Sequence, residues 1–190
     1  MQNIQQLLEE SSRHHSHLCP RQILGVRLGL MGLKALQLSP NGESKRLLVI
    51  SETDGCFIDG VIAATECRVG NRTLRVEDYG KTAVTFVDTL TGRAIRVAPC
   101  EGIRENALHY VPAESGRYLA QMVAYQTMPD EMMFTLQKVV LNVPLQELIS
   151  RPGMRVCCEL CGEEIINERE IYKNNKILCK TCGAGGYYHD

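Results

Sequence analysis

Two Cys-x2-Cys pairs constrain this chain more than any other feature. They are Cys158–Cys161 and Cys179–Cys182, with seventeen residues between them. Pairs at this separation fit tetrahedral coordination of zinc by four thiolates. The short turn within each pair directs both sulfurs to one centre. Gly162 and Gly183 follow the second Cys of each pair, where a positive φ and close approach of backbone N–H groups to sulfur are expected. Between the pairs, Glu170 to Leu178 reads as a hairpin turning at Asn174-Asn175, which makes the segment a zinc ribbon or a treble clef. A unit of about forty residues buries too little apolar surface to fold alone, so the metal would supply much of its folding free energy. All four positions are filled by protein, so a structural role is expected. Four free or redox-active thiols are the plainer alternative, iron in a rubredoxin-like site is the alternative metal, and Cys157 could replace Cys158 as a ligand.

Upstream, the sequence is that of a globular domain with an aliphatic core. Hydrophobic residues make up 44% of the 190 positions, with no Trp and three Phe, so Leu, Val, Ile and Met must fill the interior. The formal net charge of −1 gives no general attraction to nucleic acid or anionic membrane. No run of eighteen apolar residues is present to span a bilayer. Met1 to Arg13 is polar and helix-like and lacks the apolar centre of a secretory signal, so a cytoplasmic location is expected. Nine cysteines are an odd number, and in a reducing compartment they are expected as metal ligands or reactive thiols rather than disulfides.

The hydrophobic pattern predicts an α+β fold: a mixed or antiparallel sheet packed with helices, plus the small C-terminal finger. Helices are expected at Ile4–Arg13, from Pro20 to about Gln37, at Ile58–Glu66, Gly102–Tyr110 and Ser115–Tyr125. Strands are expected at Arg46–Glu52, Thr73–Val76, Ala83–Val87, Ala94–Val97 and Phe134–Val140. Ser39-Pro40-Asn41-Gly42 reads as a turn. Gly25, Gly29 and Gly32 would form a small-residue stripe on the second helix. Each costs about 1 kcal/mol of helix propensity against Ala, which close backbone packing would offset. Ser150-Arg151-Pro152-Gly153 reads as a break, so the expected domains are 1–152 and 153–190.

The core domain carries a second constellation, His15-x-His17-x-Cys19, placed just before a helix. Alternate residues of an extended segment point the same way, so the three side chains could converge on one centre with room for a fourth ligand or an open position. Cys56 and Cys67 flank the Ile58–Glu66 helix and could approach it. The plainer reading is a solvated His-rich loop, with cysteines as buried apolar fillers. His109 and His189 read as surface residues.

The segment His15-Ser16-His17-Leu18-Cys19-Pro20, with Gly25 and Arg27 downstream, resembles the opening motif of the formylmethanofuran dehydrogenase E-subunit family. The resemblance continues through Asp54-Gly55-Cys56 with Asp59, through Cys67-x2-Gly70-Asn71, and through Asp78-Tyr79-Gly80-Lys81-Thr82-Ala83. It reaches the tail at Cys179-x2-Cys182-Gly183 with Tyr187-Tyr188. Ser16, Arg21 and Gly60 depart from the family pattern, and Val69-Gly70-Asn71 is a shortened version of its glycine-rich segment. The resemblance implies an α+β core with an auxiliary zinc finger, a homodimer, and a metal or redox site built on His15, His17 and Cys19. Cys56 is then the expected added ligand, and Cys67 a nearby thiol or alternate ligand. Soft nitrogen and sulfur donors suit Zn, Ni or Fe. Lys81 reads either as part of an Asp78–Lys81 turn or as an anion-binding or acid–base group near the metal. Cys56, Cys67 and Lys81 are the candidate catalytic residues.

Three functions compete. The first is a metal-binding accessory or redox protein serving molybdenum or tungsten enzymes of one-carbon metabolism. The second is an enzyme using the His/Cys metal as a Lewis acid or the thiols as nucleophiles; the sequence makes no choice between enzyme and accessory. The third is a zinc-finger nucleic-acid binder. It ranks last because Arg151, Arg155, Arg169, Lys173, Lys176 and Lys180 in the tail are interleaved with five Glu residues and give no basic face.

Overall fold

The computed structural model describes residues 3–13, 15–41, 44–149 and 153–188. His14, Gly42 of the expected turn, Ser150, Arg151 and Pro152 of the expected break, and His189 lie outside the described residues. The chain forms two compact units, Met1–Asn142 and Val143–Asp190.

In the first unit, α1 (Ile4–Ser12) is capped by the Asn3 side chain, which accepts from the Gln5 N–H, and it buries Leu7 and Leu8. Pro20 opens α2 (Pro20–Leu36), where its missing N–H costs nothing, and the helix ends at Gln37 in the left-handed conformation. Most of α2 is buried on every side, as befits a central helix with little amphipathic contrast. Next come β1 (Leu47–Ser51), α3 (Cys56–Thr65), β2 (Leu74–Val76), β3 (Val84–Asp88) and β4 (Ala94–Pro99). Then follow α4 (Ile103–Asn106), a 3-10 turn at Ala107–Tyr110, α5 (Arg117–Thr127), α6 (Asp130–Met133) and β5 (Phe134–Val139).

The five strands make one mixed sheet in the order β2-β1-β3-β4-β5. β1 and β2 run parallel, with α3 as their crossover, and the other pairings are antiparallel. Val49, Phe86 and Ile95 lie in register across three strands and are buried in the same core as α2, α3 and α5.

The glycine stripe of α2 is a docking surface. A Cβ added at Gly25 would stand 2.1 Å from the Phe57 carbonyl oxygen, and one at Gly60 would stand 2.2 Å from the Gln22 carbonyl oxygen. At this crossing α2 and α3 therefore touch backbone to backbone. Further along, Gly29 meets Ala64 and Gly32 meets the Phe86 ring. Arg27 locks the other side of α2: it donates to the carbonyls of Tyr125 and Met128 and pairs with Asp130 at 2.6 Å.

The second unit contains α7 (Leu145–Leu148), β6 (Arg155–Cys157), β7 (Glu164–Ile166), β8 (Ile171–Lys173), β9 (Lys176–Leu178) and α8 (Lys180–Ala184). β6–β7 and β8–β9 are antiparallel hairpins. Asn174 and Asn175 both have positive φ, the conformation that a two-residue hairpin turn requires and that Asn tolerates. The second Cys pair lies at the start of a helix, with Cys179 as N-cap and Cys182 inside α8, which is the treble-clef alternative. Gly162 has the expected positive φ, but Gly183 does not. It is helical, and its missing side chain instead makes room for Ile171, which would lie 3.2 Å from an added Cβ. Among the described residues, no helix is long and apolar enough to cross a membrane.

Candidate functional site

In the second unit Cys158, Cys161, Cys179 and Cys182 bring their four sulfurs within 4.8 Å of one another. Zn–S bonds of about 2.3 Å in a tetrahedron imply S···S edges of about 3.8 Å, and Cys161 and Cys179 stand 3.9 Å apart. Backbone amides already face the sulfurs: the Cys182 N–H donates to Cys179 Sγ. The N–H groups of Cys161 and Cys179 pull the Cys158 thiol down to about 6. A hydrogen bond from the Cys182 thiol to Cys179, and burial, push Cys182 up to about 12. Four thiolates this close repel one another, and a divalent cation removes that conflict. The donor set fits a four-thiolate metal.

In the first unit the segment before α2 is held rigidly. The buried Gln22 carboxamide accepts from the Cys19 N–H at 2.8 Å and donates to the Ser11 carbonyl at 2.7 Å. Cys19 is thereby fixed as the N-cap of α2. Cys56 is the first residue of α3, because Gly55 turns the chain with φ of 79°. α3 thus begins two residues before the start expected at Ile58. The backbone contact at Gly25 and Gly60 lies a few residues past both cysteines, and it brings the Cys19 and Cys56 sulfurs to 3.3 Å. Each thiol sits at the positive end of a helix, which favours anionic sulfur. Burial first, and the hydrogen bond to Cys19 second, push the Cys56 thiol up. The outcome is a close pair of sulfurs that a soft cation would relieve.

The histidines lie at the rim. His15 Nε2 is 2.8 Å from Asp59 Oδ2, and His17 Nδ1 is 2.9 Å from Ser16 Oγ. With those nitrogens engaged, His15 Nδ1 and His17 Nε2 are the ones left to ligate. Asp59 follows Cys56 by three residues on one face of α3, so carboxylate and thiol belong to one surface. Among the described residues, the four-cysteine group alone gathers three or more ligand atoms within 4.8 Å. Cys19 and Cys56 are in contact, but neither His15 nor His17 joins both of them within that distance, so the four residues form no closed shell.

Cys67 lies elsewhere. It follows the far end of α3, about 15 Å of helix from Cys56. It is fully buried, donates to the Leu47 carbonyl and accepts from Asn41. Burial pushes its thiol to about 11, which suits a core filler better than a nucleophile. Asp78 makes a turn, its carboxylate accepting from the Gly80 N–H. The Lys81 N–H donates to the Glu52 carbonyl, leaving the Lys81 side chain at a groove beside α2 and α5.

The family model described as "FmdE, Molybdenum formylmethanofuran dehydrogenase operon" matches residues 14–135. The chain belongs to the FmdE family. The match includes His15, His17, Cys19, Cys56, Asp59 and Lys81 and ends before the four-cysteine unit. The chain also resembles a solved structure described as a "tungsten formylmethanofuran dehydrogenase subunit e (fmde)-like protein" from Syntrophus aciditrophicus. That structure matches with a TM-score of 0.62 and 24% identity, over 98% of this chain and 95% of that one, a likeness of fold. A curated relative from Archaeoglobus fulgidus, "Probable S-adenosyl-L-methionine-binding protein", is 28% identical over 96% of this chain. This chain spans about half, 53%, of that relative's length.

Proposed function

We propose that this FmdE-family chain is a two-metal accessory protein, cytoplasmic and homodimeric, that serves molybdenum or tungsten enzymes of one-carbon metabolism. Zinc at Cys158, Cys161, Cys179 and Cys182 organises the C-terminal finger. A second soft metal, Zn, Ni or Fe, is taken by Cys19 and Cys56 with His17 and His15. The observation that carries this reading is the 3.3 Å contact between two sulfurs at two helix N-termini, with imidazoles close by in sequence.

The chain's own residues have distinct parts in this site. Gln22 fixes the Cys19 backbone, Gly25 and Gly60 set the approach of the two helices, and Asp59 holds the His15 ring so that Nδ1 is presented. A metal held there with an exchangeable position supplies Lewis-acid or one-electron chemistry. The rim histidines are exposed, so a partner surface can reach them. A nucleic-acid role gains no support. Arg155 pairs with Glu164, and the Lys173 ammonium donates to the Gly183 carbonyl, so two tail cations are spent within the finger.

Metal analysis of the intact protein and of a His17→Ala/Cys19→Ala variant tests the proposal. Two metals per chain are expected in the first and one in the second, with the finger's zinc as internal control. An unchanged metal content in the variant rules out the core centre.

A further inference from the structure

A groove of about 340 Å³ opens in the first unit where α2, β4, α4 and α5 meet. Its size falls at the lower end of small-molecule sites, which run from about 300 to 1,000 Å³. Leu24 and Ile103 contribute apolar walls, and Lys81, Arg96, Arg104 and Tyr125 contribute the polar ones. None of the proposed metal ligands lines it.

The polar groups are unequal. Arg96 is committed to Glu52 through two hydrogen bonds of 2.5 and 2.7 Å, so it shapes the wall without offering a free charge. Lys81 and Arg104 are exposed cations, and among the described residues neither side chain makes a hydrogen bond or an ion pair. Tyr125 is 3% exposed, yet its hydroxyl has no hydrogen-bond partner among the described residues. No side-chain oxygen sealed from solvent is left unsatisfied among those residues, so that hydroxyl keeps contact with solvent. Burial raises its pKa, the Arg104 charge opposes that rise, and the Glu105 carboxylate adds to it. A buried ring with an unpartnered O–H, on a groove that two unpartnered cations also line between apolar walls, is a donor set without its acceptor.

We propose that this groove binds a small organic anion, with a carboxylate or phosphoryl head held by Lys81, Arg104 and the Tyr125 hydroxyl and an apolar body against Leu24 and Ile103. This gives the Lys81 of the family motif a ligand-binding role independent of the metal centre. The hydroxyl donates, and the two cations supply charge-assisted hydrogen bonds to the same oxyanion. Lys81 is placed for this by the Asp78 turn, and Tyr125 by the clamp of Arg27 on its carbonyl.

Calorimetric titration of the full-length, zinc-loaded protein with hexanoate, hexyl phosphate and hexanol tests the inference. At least one anion is expected to bind with a Kd at or below about 10 mM, weakening with salt, while hexanol does not bind. The tighter of the two anions identifies the head group. Lys81→Gln and Arg104→Gln, both at exposed positions that leave the core intact, should each weaken binding about tenfold, and Tyr125→Phe by several-fold. The idea is overturned if neither anion binds, if hexanol binds as well as the anions, or if the variants bind as tightly as the parent.

Discussion

Single residues decide how the two thiols of the core meet. Gly25 and Gly60 each cost α2 or α3 about 1 kcal/mol of helix propensity against Ala, yet a Cβ at either would stand within 2.2 Å of a carbonyl oxygen of the other helix. Overpacking of this kind costs about 1–3 kcal/mol, occasionally more, so it should outweigh the propensity gain. Gly25→Ala or Gly60→Ala is therefore expected to destabilise the protein by up to about 2 kcal/mol net and to slow any chemical cross-linking of Cys19 to Cys56. Gly70→Ala, with nothing within 4 Å of its Cβ position, should change stability by less than about 0.5 kcal/mol. Urea denaturation of the three variants makes the comparison, and equal stabilities would refute the role given to the helix crossing. Cys67 gives a second residue-level prediction. Its thiol is raised to about 11 from an unfolded value near 9. The native state therefore holds the proton more tightly, and the stabilisation is complete below about pH 9 and lost as pH rises toward 11, a difference of about 2–3 kcal/mol. Cys67→Ala should flatten stability between those pH values, and Cys67 should resist thiol reagents in the native protein at pH 8.

At the scale of elements, the sequence was legible wherever a segment had room to show its period. α1, α2, α5 and the strands of the main sheet lie close to where alternation and caps predict them. The short helices α6 and α7 carry too few residues for a periodic signal and take their form from the chain around them. α3 begins earlier than its apolar run implies, because Gly55 rather than a polar cap turns the chain at Cys56. Strand order is not written in any single segment; it follows from the parallel α3 crossover and from which faces are buried. The candidate site was legible as residue types, since His15, His17, Cys19 and Cys56 stand out by spacing and by family resemblance. Asp59 stood out only as part of a family segment, and Gln22 beneath Cys19 was missed, because their contacts with His15 and Cys19 exist only in the folded chain. Arg104 and Tyr125 carry no local signal, lying twenty-one residues apart on two helices. One element-level contact makes a further prediction. Asp88 ends β3, accepts two hydrogen bonds from Arg46 and holds the Leu90 N–H and Thr91 hydroxyl of the following turn. The Arg46 guanidinium holds its carboxyl well below the usual range. Its stabilisation is thus present above the unfolded carboxylate pKa and lost as pH falls through the lower folded value. Asp88→Asn should cost about 1–3 kcal/mol at neutral pH and reduce the acid sensitivity of the main sheet, measured by denaturation at pH 7 and pH 3.

On the scale of the whole molecule, the two units are stabilised by different means. The first has a continuous apolar core drawn from α1, α2, α3, α5 and all five strands of the sheet, with Phe57, Phe86, Ile23 and Leu28 fully enclosed. The second has a core of Cys158, Ile165 and Leu178 with a few partly buried neighbours. So small a cluster offsets little of the chain entropy that folding removes, and its hairpins and short helices would not persist alone. A metal held by the four sulfurs would connect the knuckle after β6 to the start of α8, a link that the weak hydrogen bonds at the sulfurs do not replace. Removing metal with a strong chelator under reducing conditions should therefore melt the second unit and spare the first. In an NMR spectrum, amides of β6–β9 and α8 are expected to collapse toward random-coil positions, while those of β1, β3 and β4 stay dispersed. Adding back zinc should restore the first set, and thermal unfolding should resolve into two transitions of which only one depends on metal. Simultaneous loss of both units on chelation would mean that the finger is an integral part of the core. Survival of both would mean that the four cysteines stabilise the unit without a metal.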